Sequence, residues 1–369
     1  MRKILKIIED YSGGTCYQTD RFTLDHFVPP EYQDKDEVFA SDKIFETDNQ
    51  KRENISLNMN GSVFSLFDFF LDGSRRVYKI VDFGTTDGKF LPIVAGQIGA
   101  AICHRQNKKL KKYQMVRENV IAVPDRLGDD FDKIVEEISK LKLPKGKSKS
   151  LSIAHVLKYT VKTKPERPFE NLAIAKIQNR MYNLEVELIR EMVHSHKLKT
   201  DQMLIIDGSL QFSSVENEDH IFQNVIGISK SFNPNLQGIL KTKNKQIGSY
   251  LANLEFQERT PVFVYESESK RKRKTKIGAW YLRIHPKNLM KKPLDGVIKI
   301  EKIATTRDEK NEGFDSEMIN EISRSILLER NVTCYGNDDR WANHIYPIYL
   351  TELLLKNSFA SDTFFLNIF

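Results

Sequence analysis

Two tripeptides of the same composition, Asp72-Gly73-Ser74 and Asp207-Gly208-Ser209, each follow an apolar, strand-like run: Phe67-Asp68-Phe69-Phe70-Leu71 before the first, Met203-Leu204-Ile205-Ile206 before the second. A strand that stops on a carboxylate offers it beyond the sheet edge, and the glycine that follows lets the backbone turn or a ligand approach closely. A third carboxylate precedes the second motif. Residues 169–197 carry Leu172, Ile174, Ile177, Met181, Leu184, Leu188 and Met192 at helical spacing. Glu185 has Met181, Tyr182, Leu188 and Ile189 three and four residues away, whereas Glu187 and Glu191 have more polar neighbours, so Glu185 sits at the edge of the apolar stripe. A carboxylate there is costly unless a cation or metal pairs with it. One carboxylate from a strand, one from a helix and one from a later strand form a hard oxygen set that suits Mg²⁺ or Mn²⁺ and suits zinc poorly. Two such ions about 3.5–4 Å apart can activate a water and stabilise the leaving oxygen of a phosphodiester. A glycosidase pair would also need two carboxylates, but it would leave the basic clusters of this chain without a use.

The elements that must position these groups are legible in outline. Residues 1–60 mix aromatic and charged side chains around Pro29-Pro30 and read as an irregular N-terminal extension to a main domain over 61–369. The β pattern starts near Ser62, with strands over 63–71, 76–83 and 91–96, a meander that places Asp72 at its first turn. Residues 104–170 are basic and mixed, with one helical stretch over 132–143, and read as an insertion. After the long helix and the second motif, strands are expected over 222–228, 262–265, 277–284 and 297–303, and helices over 315–328 and 347–356. The class implied is α/β, a mixed sheet flanked by helices.

Composition narrows the partner. Fifty-seven Lys and Arg stand against 50 Asp and Glu, for a formal charge of +7, and the excess gathers in Lys108, Lys109, Lys111 and Lys112, in the run 145–149, and in the run 270–276. Clustered positive charge fits a polyanion, here a nucleic acid. Cys16, Cys103 and Cys334 are odd in number and far apart, which fits a reducing compartment and gives no disulfide framework. The first apolar stretch is too short for a signal peptide, and the weakly polar run 91–103 is too short to span a bilayer, so a cytoplasmic protein without a membrane partner is expected. No G-x-x-x-x-G-K-[ST] loop occurs; Lys145-Gly146-Lys147-Ser148 lacks the glycine spacing, so any motor must be another chain.

The ordered set Leu71-Asp72-Gly73-Ser74-Arg75, Tyr182-Asn183-Leu184-Glu185-Val186-Glu187, Ile206-Asp207-Gly208-Ser209-Leu210, Val225 through Lys230-Ser231, Trp280-Tyr281-Leu282-Arg283 and Tyr346-Pro347-Ile348-Tyr349-Leu350 resembles the NurA nucleases, from about residue 62 to 355. The resemblance implies a ribonuclease-H-like fold, Mn²⁺-dependent (or Mg²⁺-dependent) exo- and endonuclease action in DNA end processing with two ions, and a homodimer with a central channel. It also implies docking onto a HerA-type hexameric ATPase translocase, in DNA repair or anti-phage defence. It assigns Asp72, Glu185 and Asp207 as metal ligands, with Lys230 and Tyr346 as further catalytic positions. Lys230 could neutralise the scissile phosphate and Arg283 grip a neighbouring one. The His that the family carries after its Tyr-Pro segment has no counterpart; Glu352 and His344 are the nearest polar groups. An alternative is a ribonuclease-H-like scaffold that has lost cleavage and binds nucleic acid or bridges subunits, although carboxylates beside phosphates would weaken pure binding. The aromatic tail 358–369 is expected either to dock a partner or to join this chain's own sheet.

Overall fold

A computed structural model describes residues 3–19, 23–24, 39–48, 53–60, 64–128, 130–141, 152–161, 168–199, 202–211, 218–233, 247–268, 274–332 and 341–369. The basic run 145–149, most of the run 270–276, Pro29-Pro30 and Cys334 lie outside the described residues.

The chain opens with α1 (Lys3–Ser12), β1 (Thr15–Gln18), β2 (Phe39–Ile44) and β3 (Ile55–Ser56). Three long strands follow, β4 (Phe67–Gly84), β5 (Phe90–Gln106) and β6 (Lys109–Pro124), then α2 (Phe131–Lys140), β7 (Ile153–Tyr159) and the 26-residue α3 (Phe169–His194). The second half holds β8 (Met203–Asp207), β9 (Val225–Ser229), α4 (Ile247–Ala252), β10 (Glu258–Arg259), β11 (Phe263–Glu268), β12 (Lys274–Arg283) and β13 (Val297–Ile303). It closes with α5 (Arg307–Glu312), α6 (Ser316–Glu329), α7 (Tyr346–Lys356) and α8 (Asp362–Leu366).

The strands join in one mixed sheet whose main path runs β2-β11-β12-β13-β9-β8-β4-β5-β6-β7. The β4/β8, β8/β9 and β6/β7 pairs are parallel and the others antiparallel. Helices cover both faces, which is why β5 is apolar along most of its length rather than alternating and why every residue of β13 is buried. On one face α3 lays Ile174, Ile177, Leu184 and Leu188 against Leu71 and Ile98. On the other, α6 and α7 bring Ile322, Ile326 and Ile348 to Phe70, Ile205 and Ile228. A third apolar cluster, around Tyr78, Ile93 and Val123, is closed by α1, α2 and α8.

Three expectations are corrected. Residues 104–170 are not an insertion, because β6 and β7 are strands of the central sheet. The first half of β6 reads as a basic loop because β7 pairs only from Asn119 onward, which leaves Lys109, Lys111 and Lys112 exposed. The described parts of residues 1–60 are built into the same body: β1 pairs with β4, and Glu46 takes both Arg259 guanidinium nitrogens at 2.9 Å in a fully buried pair. The C-terminal tail does not present its aromatics to water. Phe365, Ile368 and Phe369 are buried, Phe365 lies 5.4 Å from the Tyr78 ring, and Gln97 exchanges hydrogen bonds with both backbone groups of Ala360. Among the described residues no helix is long and apolar enough to cross a membrane.

Candidate active site

The two Asp-Gly-Ser motifs do different things with the same residues. β4 and β8 run parallel with Leu71 beside Ile206, so the next residues along, Asp72 and Asp207, come to stand side by side. Asp207 ends β8, and Gly208, at φ 121°, turns the chain away, as expected of this motif. Asp72, by contrast, is not at a turn: β4 continues unbroken to Gly84, pairing Asp72, Gly73 and Ser74 with Ala101, Ala100 and Gly99 of β5. Gly73 serves by having no side chain. A Cβ there would overlap the Glu185 Oε1 atom, so the gap in β4 is what lets the α3 carboxylate reach down onto the strand, on the face opposite to the one that Asp72, the preceding residue, shares with Phe70 and α7.

Asp72 is 3% and Glu185 2% exposed, while Asp207 is partly open. Lys230 lies two residues beyond Ile228, the β9 partner of Asp207, and therefore on the same side; its Nζ donates to Asp207 Oδ2 at 2.7 Å. Burial raises the Asp72 carboxyl well above the ordinary range, the Asp207 and Glu352 charges push it further, and Lys230 and Lys356 only partly offset them. Glu185 is raised as well, first by burial and then by Asp72 and Asp207. The ammonium of Lys230 is held up by the same carboxylates, Asp207 first, against the effect of its own burial. Tyr182, one turn from Glu185, is pushed up to about 12 by burial and by the Glu185 charge.

These groups form a site short of positive charge. Asp72 Oδ2 is buried with no hydrogen-bond partner among the described residues, which for a buried polar oxygen is costly unless something further completes it. The donor set, all carboxylate oxygen, fits a hard divalent cation. Among the described residues no group of three or more His, Cys, Asp or Glu side chains is drawn close enough to hold an ion as it stands, and Lys230 occupies one oxygen of Asp207.

Glu187 faces away from this cluster and is paired with Arg180 at 2.7 Å, as its polar neighbours predict. Tyr346 is in the first turn of α7, 41% exposed, and six residues from Glu352, so it leaves the helix on a different side. Lys108 is in the β5–β6 turn and Lys109, Lys111 and Lys112 are in the first half of β6, level with the first half of β8, whereas Asp207 is at the end of β8. Along the strands they lie from two positions (Lys112) to five (Lys109) from Asp72, about 7 to about 17 Å. Arg283 is a correction: it is fully buried and spends its guanidinium on the carbonyls of Leu254, Asp295 and Pro293, closing a loop rather than facing a phosphate. Its position at the end of an apolar strand, next to Trp280 and Leu282, was the available warning.

The residue whose contribution the sequence understated is Glu352. α7 lies over β4 and β5 and brings it into the field of Asp72 and Lys230. Burial would raise its carboxyl, but Lys356, at 2.6 Å one turn on, together with Lys230 and His344, lowers it instead. The i, i+4 spacing of Glu352 and Lys356 was the visible signal.

With that geometry in view, the chain can be set beside known proteins. Among solved structures it is similar to the NurA nuclease from Sulfolobus solfataricus, with a TM-score of 0.42, 13% identity and coverage of 80% of this chain and 81% of that one. It is also similar to the catalytic domain of human Endonuclease V, with a TM-score of 0.33, 10% identity and coverage of 85% and 89%. No family model and no curated protein matches the sequence. Both neighbours are nucleases, at a distance that carries no residue roles across.

Proposed function

We propose that the chain is a metal-dependent nuclease that hydrolyses DNA phosphodiester bonds, with Asp72, Glu185 and Asp207 as the ligand set for Mn²⁺ or Mg²⁺. The observation that carries this reading is the buried Oδ2 of Asp72, without a hydrogen-bond partner among the described residues, with Asp207 of β8 on the neighbouring strand and Glu185 of α3 within electrostatic reach. Bound divalent ions would supply the Lewis acidity that phosphodiester hydrolysis needs. The chain's own residues then have separable tasks. Asp72 and Glu185 would have to be deprotonated to hold an ion, and Asp207 would offer it the oxygen that here accepts from Lys230. Lys230, hydrogen-bonded to no other carboxylate among the described residues, would then be placed to neutralise a phosphate oxygen. Glu352 and Lys356 border the same space and set its charge.

The resemblance of the motifs supports a ribonuclease-H-like site, a homodimer and a HerA-type hexameric ATPase as partner in repair or defence, since this chain carries no nucleotide-binding loop of its own. The four hairpin lysines are a second contact for the polyanion, two to five strand positions from Asp72. One observation favours the non-cleaving alternative, namely the absence of a ready-made three-ligand group among the described residues. Mutual repulsion of unneutralised carboxylates accounts for that spacing equally well. Incubation of the purified protein with linear duplex DNA, with and without Mn²⁺, tests the reading: degradation that needs the ion and is lost in Asp72→Ala supports it, and degradation that persists in the variant overturns the assignment.

A further inference from the structure

Asp207 is held in place by a buried device two strands away. Glu301 of β13 is fully buried and stands opposite Gly227 of β9. A side chain on Gly227 would collide with the Gly208 carbonyl and the Leu210 side chain, so the absence of one there leaves a passage from β13 to the loop that follows Asp207. Glu301 uses it. Its Oε2 accepts from the Ser209 hydroxyl at 2.8 Å and from the Leu210 backbone N–H at 2.7 Å, while Oε1 meets the Lys299 ammonium at 2.9 Å. Lys299 is itself buried, two residues back on the same face, over the Tyr265 ring. The loop is pinned from its other side by Gly208, whose N–H donates to the Ile228 carbonyl at 2.7 Å.

A buried ion pair is a poor source of net stability compared with apolar residues of the same size, so its presence in the middle of a sheet calls for another use. The sequence offered no sign of it: Val297-Ile298-Lys299-Ile300-Glu301-Lys302-Ile303 alternates as a half-exposed strand does, yet every residue of it is buried. What the pair touches is the Ser-Leu step immediately after the carboxylate of the second motif.

Resting on the nuclease reading above, we infer that Glu301, charged and oriented by Lys299, is a positioning residue that fixes the Asp207 carboxylate in its ion-binding place through Ser209 and Leu210. It touches neither substrate nor ion. It also gives the serine of the second Asp-Gly-Ser motif its role, which is to be gripped from β13.

The test uses the full chain in three forms: unmodified, Ser209→Ala, and the double variant Glu301→Leu with Lys299→Met, which removes the clamp without leaving a buried charge unpaired. Mn²⁺ affinity of the resting protein is read by calorimetry, with unfolding midpoint and with kcat and KM on linear duplex DNA. For the folded double variant, the Mn²⁺ dissociation constant is expected to rise roughly 10- to 100-fold, the range found when outer-shell partners of a ligand are removed, with kcat falling and KM for DNA unchanged. Ser209→Ala, which keeps the Leu210 bond, should give a smaller shift in the same direction. A folded double variant with unmodified Mn²⁺ affinity and kcat overturns the inference, as does a change in unfolding midpoint alone. If the double variant does not fold, an unshifted affinity in Ser209→Ala overturns it. An unmodified protein that neither binds Mn²⁺ nor cleaves DNA sinks the nuclease reading, and this inference with it; an active unmodified protein with an indifferent clamp sinks this inference only.

Discussion

At the scale of single residues, the fold buries the Asp72 and Glu185 carboxylates without fully compensating them. Glu185→Gln keeps the shape of the side chain and removes a ligand charge, and is expected to lower kcat more than about 100-fold, beyond what loss of an outer-shell partner costs. Glu187→Gln, which loses only its ion pair with Arg180, should stay within a factor of about two, since surface pairs contribute little. The reverse order would place the site on the wrong side of α3. Gly73→Ala tests the passage through β4: the added methyl collides with the flexible end of Glu185, so the protein should fold, with cleavage reduced as in Glu185→Gln. Proton linkage gives a signed expectation. Asp72 and Glu185 are raised in the metal-free fold, so the folded state binds more protons than the unfolded chain between the ordinary carboxylate range and the raised values. Metal-free stability therefore falls as pH rises through that window, and Mn²⁺ affinity, which needs the deprotonated forms, rises with pH through the same window. Thermal unfolding and calorimetry across a pH series check both slopes, and Asp72→Asn should flatten the first.

At the scale of elements, the apolar periodicity of α3 and the run before Asp207 were legible because each has a single buried face or a plain buried run. Asp72 was legible as a carboxylate that pairs with Asp207 yet misread as a turn residue. Asp-Gly-Ser is turn chemistry when Gly208 takes a positive φ, and here Gly73 stays in a strand to make room for Glu185, a cause lying far along the sequence. The same blindness to distant partners hid Glu301 and mistook Arg283 for a surface cation. β6 looked like a loop because its exposed half overhangs its neighbour. That overhang makes its own prediction. Neutralising Lys108, Lys109, Lys111 and Lys112 should flatten the log–log dependence of DNA binding on salt, by about 0.9 for each phosphate that is no longer neutralised, and leave kcat at saturating DNA unchanged. An unchanged slope would return the lysines to solvent. The tail gives another: ending the chain at Asn357 removes Phe365, Ile368 and Phe369 from the third cluster, at about 2 kcal/mol for each buried side chain, so the unfolding midpoint should drop sharply.

At the scale of the whole molecule, one sheet carries Asp72 and Asp207 at one level and the hairpin lysines two to five strand positions away, so a polyanion that uses both must run along the body for about 7 to about 17 Å. On the proposed nuclease reading, movement of DNA would be the task of a ring ATPase. With the tail committed to its own body, such a partner would have to dock elsewhere. The most direct measurement of the central claim is cleavage of linear duplex DNA by the unmodified protein, Asp72→Ala and Asp207→Ala, in parallel with Mn²⁺ present or chelated. Cleavage by the unmodified protein only, and only with the ion, is the predicted result, with both variants folded and still binding DNA. Cleavage that survives chelation, or that either variant retains at near-normal rate, would contradict it.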